Sequence, residues 1–139
     1  MKKFTKKALR EMKKDSTKLE KKVINSLLNT SLNTNDLYSH IKDVCIYGCV
    51  SGCVSDLIYY SDTEKFFNNN RKDILYLASQ YFSWNDNVNN YVLELRYGIV
   101  CKEGQVKFTR EEKNYLSWFA YESICYYILS DFEDYNLSH

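Results

Sequence analysis

The chain contains no proline among its 139 residues, and this absence constrains the fold more than any other feature of the sequence. Proline interrupts helix interiors because it lacks a backbone N–H and collides with the preceding turn. Only four glycines are present, whereas an all-β chain with many tight turns needs residues that tolerate positive φ. The composition therefore predicts a mainly α-helical protein.

Length and composition predict a folded chain with a single core. A hydrophobic fraction of 45% beside 27% charged residues lies far from the composition of disordered proteins. Thirteen tyrosines predict interfaces lined by phenolic rings, whose hydroxyls need hydrogen-bond partners when buried.

Local patterns predict a compact bundle of about five helices. Three capping boxes, each a serine or threonine followed three residues later by glutamate, mark predicted helix starts at Thr17 with Glu20, at Ser61 with Glu64 and at Thr109 with Glu112. Apolar residues keep helical spacing from 37 to 60, where Gly48 and Gly52 stand one turn apart. The helix that follows Thr109 is apolar on nearly every side, which predicts a central position.

Two segments are less regular. Residues 86–97 fit either a helix or an alternating strand, and we favour a helix because Asp86 can cap it and Gly98 can end it. Residues 99–108 predict one small β-hairpin about Glu103 and Gly104.

Charge is segregated along the chain. Residues 1–22 hold ten lysines and arginines against three acids, and no lysine or arginine follows Lys113. We interpret residues 1–16 as a basic N-terminal helical arm and 17–139 as a single helical domain. Ten cations predict an affinity for phosphate, with these side chains as contacts: Lys6, Lys7, Arg10, Lys13 and Lys14. A solvated helix face is the alternative interpretation.

No residue pattern predicts catalysis, a metal or a cofactor. Cys45, Cys49 and Cys53 recur every four residues, so along one helix they spread too far for all three to reach one zinc ion. A site of two of them completed by His40, Cys101 or Cys125 is the alternative, which we disfavour because free cysteines are usually buried. A thiol nucleophile needs a base, and the chain has only two histidines, His40 and His139. Nucleotide-binding and zinc-hydrolase motifs are absent. We therefore predict a protein that is not an enzyme and binds no metal or cofactor.

Two carboxylates interrupt apolar stretches, Asp56 near the chain centre and Glu122 in the last helix. Such groups act as a general acid–base pair, anchor a cationic partner, or join a buried network with tyrosines. We favour the network, since buried ion-pair networks perturb pKa values without catalysing a reaction.

The chain also resembles a protein family. Residues 47–67 carry the pattern G-C-x-S-G-x-V-S-x-L-I-Y-Y-x-D-T-x-x-F, and residues 118–122 read W-F-A-Y-E. This signature, within about residues 18 to 130, is similar to that of small uncharacterised proteins of bacteriophages and other mobile elements of low-GC bacteria.

The resemblance implies an accessory protein that disables host defences, because small phage proteins often do so. We therefore predict a non-catalytic, anti-CRISPR-type antagonist that binds a host defence protein, possible contacts being Tyr59, Tyr60, Asp62, Trp118 and Glu122. A small nucleic-acid-binding regulator is the alternative. Without a long apolar span or a secretory signal, and with five cysteines, we expect a location in the cytoplasm of the host bacterial cell.

Overall fold

The computed structural model describes residues 3–47 and 60–132, with side chains from 3 to 45 and from 63 to 132. The described chain forms six α-helices and one antiparallel sheet, so the prediction of a mainly α fold is confirmed. The elements are α1 Lys6–Lys14, α2 Lys18–Leu28, α3 Thr34–Tyr47, α4 Tyr60–Asn69, α5 Arg71–Ser79, β1 Ser83–Asn85, β2 Asn90–Glu94, β3 Val100–Lys102 and α6 Arg110–Ser130.

The chain divides into two compact units. Among the described residues, unit 1 comprises 3–47 and 121–132, and unit 2 comprises 60–120. Helix α6 contributes its first half to unit 2 and its second half to unit 1.

Side-chain caps begin the first two helices of unit 1. The Thr5 hydroxyl oxygen accepts a hydrogen bond from Ala8 N at 2.9 Å. At α2, Glu20 N donates to the Thr17 hydroxyl at 3.2 Å, and Thr17 N donates to the Glu20 carboxylate at 2.7 Å. The predicted capping box at Thr17 is confirmed.

Helix α1 is packed into unit 1 by its apolar side chains. Leu9 and Met12 are buried, and Phe4 stacks on Tyr38 with ring centroids 4.7 Å apart. Phe4 also meets Phe132 edge to face at 5.1 Å. The division of the chain into an arm at 1–16 and a domain at 17–139 stays a prediction.

Contacts of one arginine and hydrogen bonds of two hydroxyl groups connect the helices and loops of unit 2. The Arg71 guanidinium lies over the rings of Phe67 and Phe108, at 5.6 and 5.2 Å from their centroids, and donates to the Val106 carbonyl. The Ser117 hydroxyl donates to the Thr63 carbonyl at 2.9 Å, while the Thr63 hydroxyl donates to Asn114. These contacts fix α6 to α4 within the unit.

The prediction of a helix over 86–97 is wrong, because this segment lies in a three-stranded sheet of order β1-β2-β3. Asp86 accepts a hydrogen bond from Trp84 Nε1 at 2.7 Å, and Asn87 N donates to the Asn85 side chain at 2.8 Å. Asn89 then adopts a φ of 52°. Since Asn and Asp serve turns as readily as helix caps, they form a four-residue hairpin turn here.

The prediction of a small hairpin over 99–108 about Glu103 and Gly104 is wrong, because only its first arm is a strand, β3, and residues 105–108 form no strand that could pair with it. Strand β3 pairs with β2, matching Leu93 with Cys101, and β2 pairs with β1 on its other side.

The predicted helix over 37–60 is described only as far as Tyr47. Residues 48–59, with Gly48, Gly52, Cys49, Cys53, Asp56 and Tyr59, lie outside the described residues.

Helix α6 begins at the third predicted capping box, which is confirmed. Glu112 N donates to the Thr109 hydroxyl at 3.1 Å, and Thr109 N donates to the Glu112 carboxylate at 2.8 Å.

Within the described ranges, no helix is both long and apolar enough to cross a membrane.

Replacing Thr109 by alanine removes this cap. Thr109→Ala should lower the free energy of unfolding by about 1 kcal/mol, because one backbone N–H at the start of α6 loses its acceptor. Urea denaturation measures the change. Thr109→Ser keeps the hydroxyl and should stay within about 0.5 kcal/mol of the parent chain. Equal losses in the two variants would contradict a role for the cap.

Candidate functional site

The connection from β2 to β3 is a tight turn that places an aromatic residue in an unfavourable backbone conformation. Tyr97 has φ 58° and ψ 30°, and Gly98 follows with φ 76°. Ile99 N donates to the Arg96 carbonyl at 3.2 Å and closes the turn. Positive φ at both central positions defines a type I′ turn, in which Asn-Gly is the favoured pair.

Tyr97 occupies the position that asparagine prefers in such a turn. The left-handed conformation brings Cβ too close to the following carbonyl and costs about 1 kcal/mol or more for a residue like tyrosine. The Tyr97 side chain is nevertheless 82% exposed. Burial of the ring within this chain therefore does not repay the cost of the strained backbone.

The exposed ring of Tyr97 rests on the rings of α6. Its centroid lies 5.7 Å from that of Tyr115, which in turn meets Trp118 edge to face at 5.0 Å. One turn further along α6, Phe119 meets Tyr81 edge to face at 5.2 Å. Since positions i and i+4 of a helix lie on one face, these contacts form one aromatic strip, defined here as Tyr81, Tyr97, Tyr115 and Phe119.

A second exposed aromatic pair lies on the sheet. Glu103 N donates to the Tyr91 carbonyl at 3.0 Å, so this carbonyl points towards β3 and away from β1. Trp84 lies opposite Tyr91 on β1, and the two residues exchange no backbone hydrogen bonds. In an antiparallel sheet, such non-hydrogen-bonded pairs have the shorter distance between Cα atoms. The two rings meet edge to face at 5.2 Å, with exposures of 49% for Trp84 and 48% for Tyr91.

The residues predicted to contact a partner are placed differently. Trp118 belongs to unit 2 and is 9% exposed, so it supports Tyr115 from beneath. Glu122 is half-buried in unit 1. Tyr60 and Asp62 lie on α4 with side chains outside the described part, and Tyr59 lies outside it altogether. A binding role for all five stays a prediction.

Unit 1 contains a buried polar cluster between α3 and α6. The His40 ring lies with Nε2 at 3.2 Å from the Tyr121 hydroxyl, and both side chains are buried. The Tyr126 hydroxyl donates to the Cys45 carbonyl on α3. These two contacts fix the second half of α6 against α3.

The thiols of Cys45 and Cys125, which lie beside this polar cluster, stay protonated near neutral pH. Burial, helped by the nearby Glu122 charge, raises the pKa of Cys45 to about 12. Burial also raises the pKa of Cys125 well above its ordinary value. Because the thiolate is the nucleophile, these raised pKa values make both thiols weak nucleophiles near neutral pH. Over residues 3–47 and 60–132, no three His, Cys, Asp or Glu side chains lie close enough together to hold a metal ion.

The predicted phosphate contacts on α1 divide into two groups. Lys6 Nζ donates to the Leu32 carbonyl at 2.6 Å, and Lys13 Nζ donates to Asn25 Oδ1 at 2.9 Å. Lys7, Arg10 and Lys14 are exposed. The first group therefore holds α1 in place, whereas the second faces solvent.

Sequence reasoning missed the aromatic strip and the pair formed by Trp84 and Tyr91. One signal for them was present, the alternation of Tyr91, Leu93, Leu95 and Tyr97 typical of a strand. Choosing the helix over the strand at 86–97 concealed the turn that exposes Tyr97.

A family model described as "Domain of unknown function (DUF7222)" matches residues 11–134. This agrees with the predicted resemblance to an uncharacterised family; the phage origin stays a prediction. No curated protein and no solved structure matches the chain.

The buried His40 predicts a pH dependence of folding. Burial lowers its pKa below the ordinary 6.5, and the charge of Asp43 opposes this shift. The unfolded chain therefore binds the His40 proton more readily than the folded chain does. The stability that this neutral histidine contributes is complete above pH 6.5 and is lost as the pH falls through the folded pKa.

Urea denaturation of the parent chain and His40→Gln, at a series of pH values from neutral to acid, tests this prediction. The difference in free energy of unfolding between them should shrink as the pH falls, because glutamine does not titrate. A difference that is constant with pH would contradict the lowered pKa.

Proposed function

The chain belongs to the DUF7222 family of unknown function, and we propose that it acts by binding another protein in stoichiometric amounts, without turnover and without a cofactor. The observation that carries this proposal is Tyr97, whose ring stays exposed although its backbone is strained. A strained backbone that holds a largely exposed side chain is typical of functional positions.

The aromatic strip has the properties of a binding hot spot. Tyrosine supplies a large apolar area and a hydroxyl at the cost of only two torsions, and hot spots are enriched in it. Tyr115 and Phe119 hold the rings of Tyr97 and Tyr81 from below, so little freedom is lost on binding. The partner that fits offers an apolar pocket with a hydrogen-bond acceptor for the phenol.

The charge of unit 2 favours a protein over a nucleic acid at this strip. Exposed rings also stack on bases, but such sites combine them with a positively charged groove. Residues 60–120 hold eight basic and eight acidic side chains. A polyanion thus gains no net attraction from this unit.

The resemblance to small phage and mobile-element proteins supports a host defence protein as the partner. In this proposal the chain is an accessory protein that acts in the bacterial cytoplasm as an anti-CRISPR-type antagonist. Tight binding alone then suffices to block the target, and no catalytic group is needed.

An immunity assay tests the antagonist function. Expression of the chain in a CRISPR-immune host that targets a plasmid should restore transformation by that plasmid, and a nuclease-resistant immune complex should copurify with the tagged protein. Unchanged immunity in every such host, together with copurification of nucleic acid alone, would overturn the proposal.

The Tyr97→Asn variant separates binding from folding. Asparagine fits the type I′ turn and relieves the strain, while the lost ring contact with Tyr115 removes about 0.5 to 1.5 kcal/mol. The two effects offset, so thermal unfolding should stay close to that of the parent chain. Capture of the partner should fall about 30-fold or more, as expected for a hot-spot tyrosine.

Tyr76→Asn is the matched control, because Tyr76 is exposed on α5 and lies outside the aromatic strip. It should keep full capture, with a small loss of stability from the lower helix propensity of asparagine. Undiminished capture by Tyr97→Asn, or equal loss in both variants, would contradict a role for the strip.

A further inference from the structure

The outer faces of α1 and α2 present a concentrated set of exposed cations. We define this basic face as the exposed side chains Lys7, Arg10, Lys14, Lys18 and Lys21. At 100° per residue, Lys7, Arg10 and Lys14 lie on the side of α1 opposite the buried Leu9 and Met12. Lys18 and Lys21 likewise lie opposite the buried side of α2.

A side-chain hydrogen bond within unit 1 joins the two helices. Lys13 on α1 reaches the side chain of Asn25 on α2. Asn25 is exposed and stands one turn after Lys21, on the same side of α2. This bond joins α1 to the side of α2 that carries Lys21, so the exposed cations of both helices belong to one packed pair of helices.

Few acids oppose these cations. Glu11 lies beside Lys14, with the Glu11 carboxylate 3.2 Å from the Lys14 ammonium, but both side chains are exposed and such pairs are weak. Asp15 is exposed at the end of α1, whereas Glu20 is bound in the capping box of α2. The basic face thus keeps a net positive charge.

The basic face has no apolar anchor. Between residues 3 and 45, no large hydrophobic side chain is exposed. Protein interfaces depend on buried aromatic or aliphatic anchors, and amphipathic helices bind membranes through an exposed apolar side. Cations alone suffice for a phosphate backbone. Four of the five cations are lysines, which act as point charges and do not read base edges as arginine does.

We propose that the basic face of α1 and α2 binds the phosphate backbone of nucleic acid without sequence preference. This binding lies on unit 1 and does not depend on the proposed protein-binding strip of unit 2. Lys6 and Lys13 take no part, because their ammonium groups are committed to Leu32 and Asn25.

Salt dependence is the measurable signature. Each phosphate that a cation neutralises releases counterions, so the logarithm of the affinity falls with the logarithm of salt concentration with a slope of about −0.9 per contact. Three to five contacts predict a loss of roughly 40- to 500-fold between about 50 and 200 mM KCl.

Fluorescence anisotropy with the full chain and a labelled duplex DNA of mixed sequence tests the proposal. Lys7→Gln, Arg10→Gln and Lys21→Gln combined should make the slope shallower by about 2.7 and weaken binding at low salt by about tenfold or more. The matched control combines Lys65→Gln, Lys72→Gln and Arg110→Gln, exposed cations of unit 2 with the same loss of charge. It should retain the parent affinity within about twofold, since distant exposed charges are screened.

Four results would overturn the proposal. These are the absence of binding at low salt, equal weakening by the two triple variants, competition by polyglutamate as effective as that by the duplex, and tighter binding to phosphatidylserine vesicles than to the duplex. Because all six substituted side chains are exposed, circular dichroism should show unchanged thermal unfolding in both variants. Tyr97→Asn should leave duplex binding unchanged, which distinguishes this proposal from the one for the strip.

Discussion

Helix α6 supplies buried side chains to both units, and the packing of each unit depends on it. It is apolar on nearly every side between Tyr115 and Leu129, and such a helix is stable only when neighbouring elements bury it. Unit 2 buries Leu116, Trp118 and Ala120, while unit 1 buries Tyr121, Ile124 and Ile128. Polar groups along the helix then need partners, which α4 supplies to Ser117 and α3 supplies to Tyr121.

The two turns of the small sheet show that the strain at Tyr97 is specific to that position. The turn between β1 and β2 places Asn89 at a φ of 52°, which asparagine tolerates well. The turn between β2 and β3 demands the same left-handed conformation and holds a tyrosine instead. Both turns close the sheet, so closure alone does not require an aromatic residue. The exposed ring is the feature that distinguishes the second turn.

The described surface carries two sets of side chains with different chemistry, one for each of the two proposed interactions. Unit 2 carries exposed rings with balanced charge, whereas the outer faces of α1 and α2 carry cations without apolar anchors. Ring contacts gain energy by removing apolar area from water and depend little on salt. Phosphate contacts gain energy from counterion release and weaken steeply with salt.

The sequence by itself determined the helical class, both confirmed capping boxes and the burial of α6. The capping boxes depend on groups within three residues of each other, and a helix that is apolar on nearly every side, as α6 is, has to be buried. Only the tertiary structure decided between helix and strand at 86–97, because the same Asp and Asn residues suit a cap and a turn. It also decided which lysines face solvent, since Lys6 meets a carbonyl 26 positions away at Leu32. The exposure of Tyr97 was likewise a tertiary outcome, since it follows from strand pairing and from the position of Tyr115 on α6, and no local pattern encodes either of these.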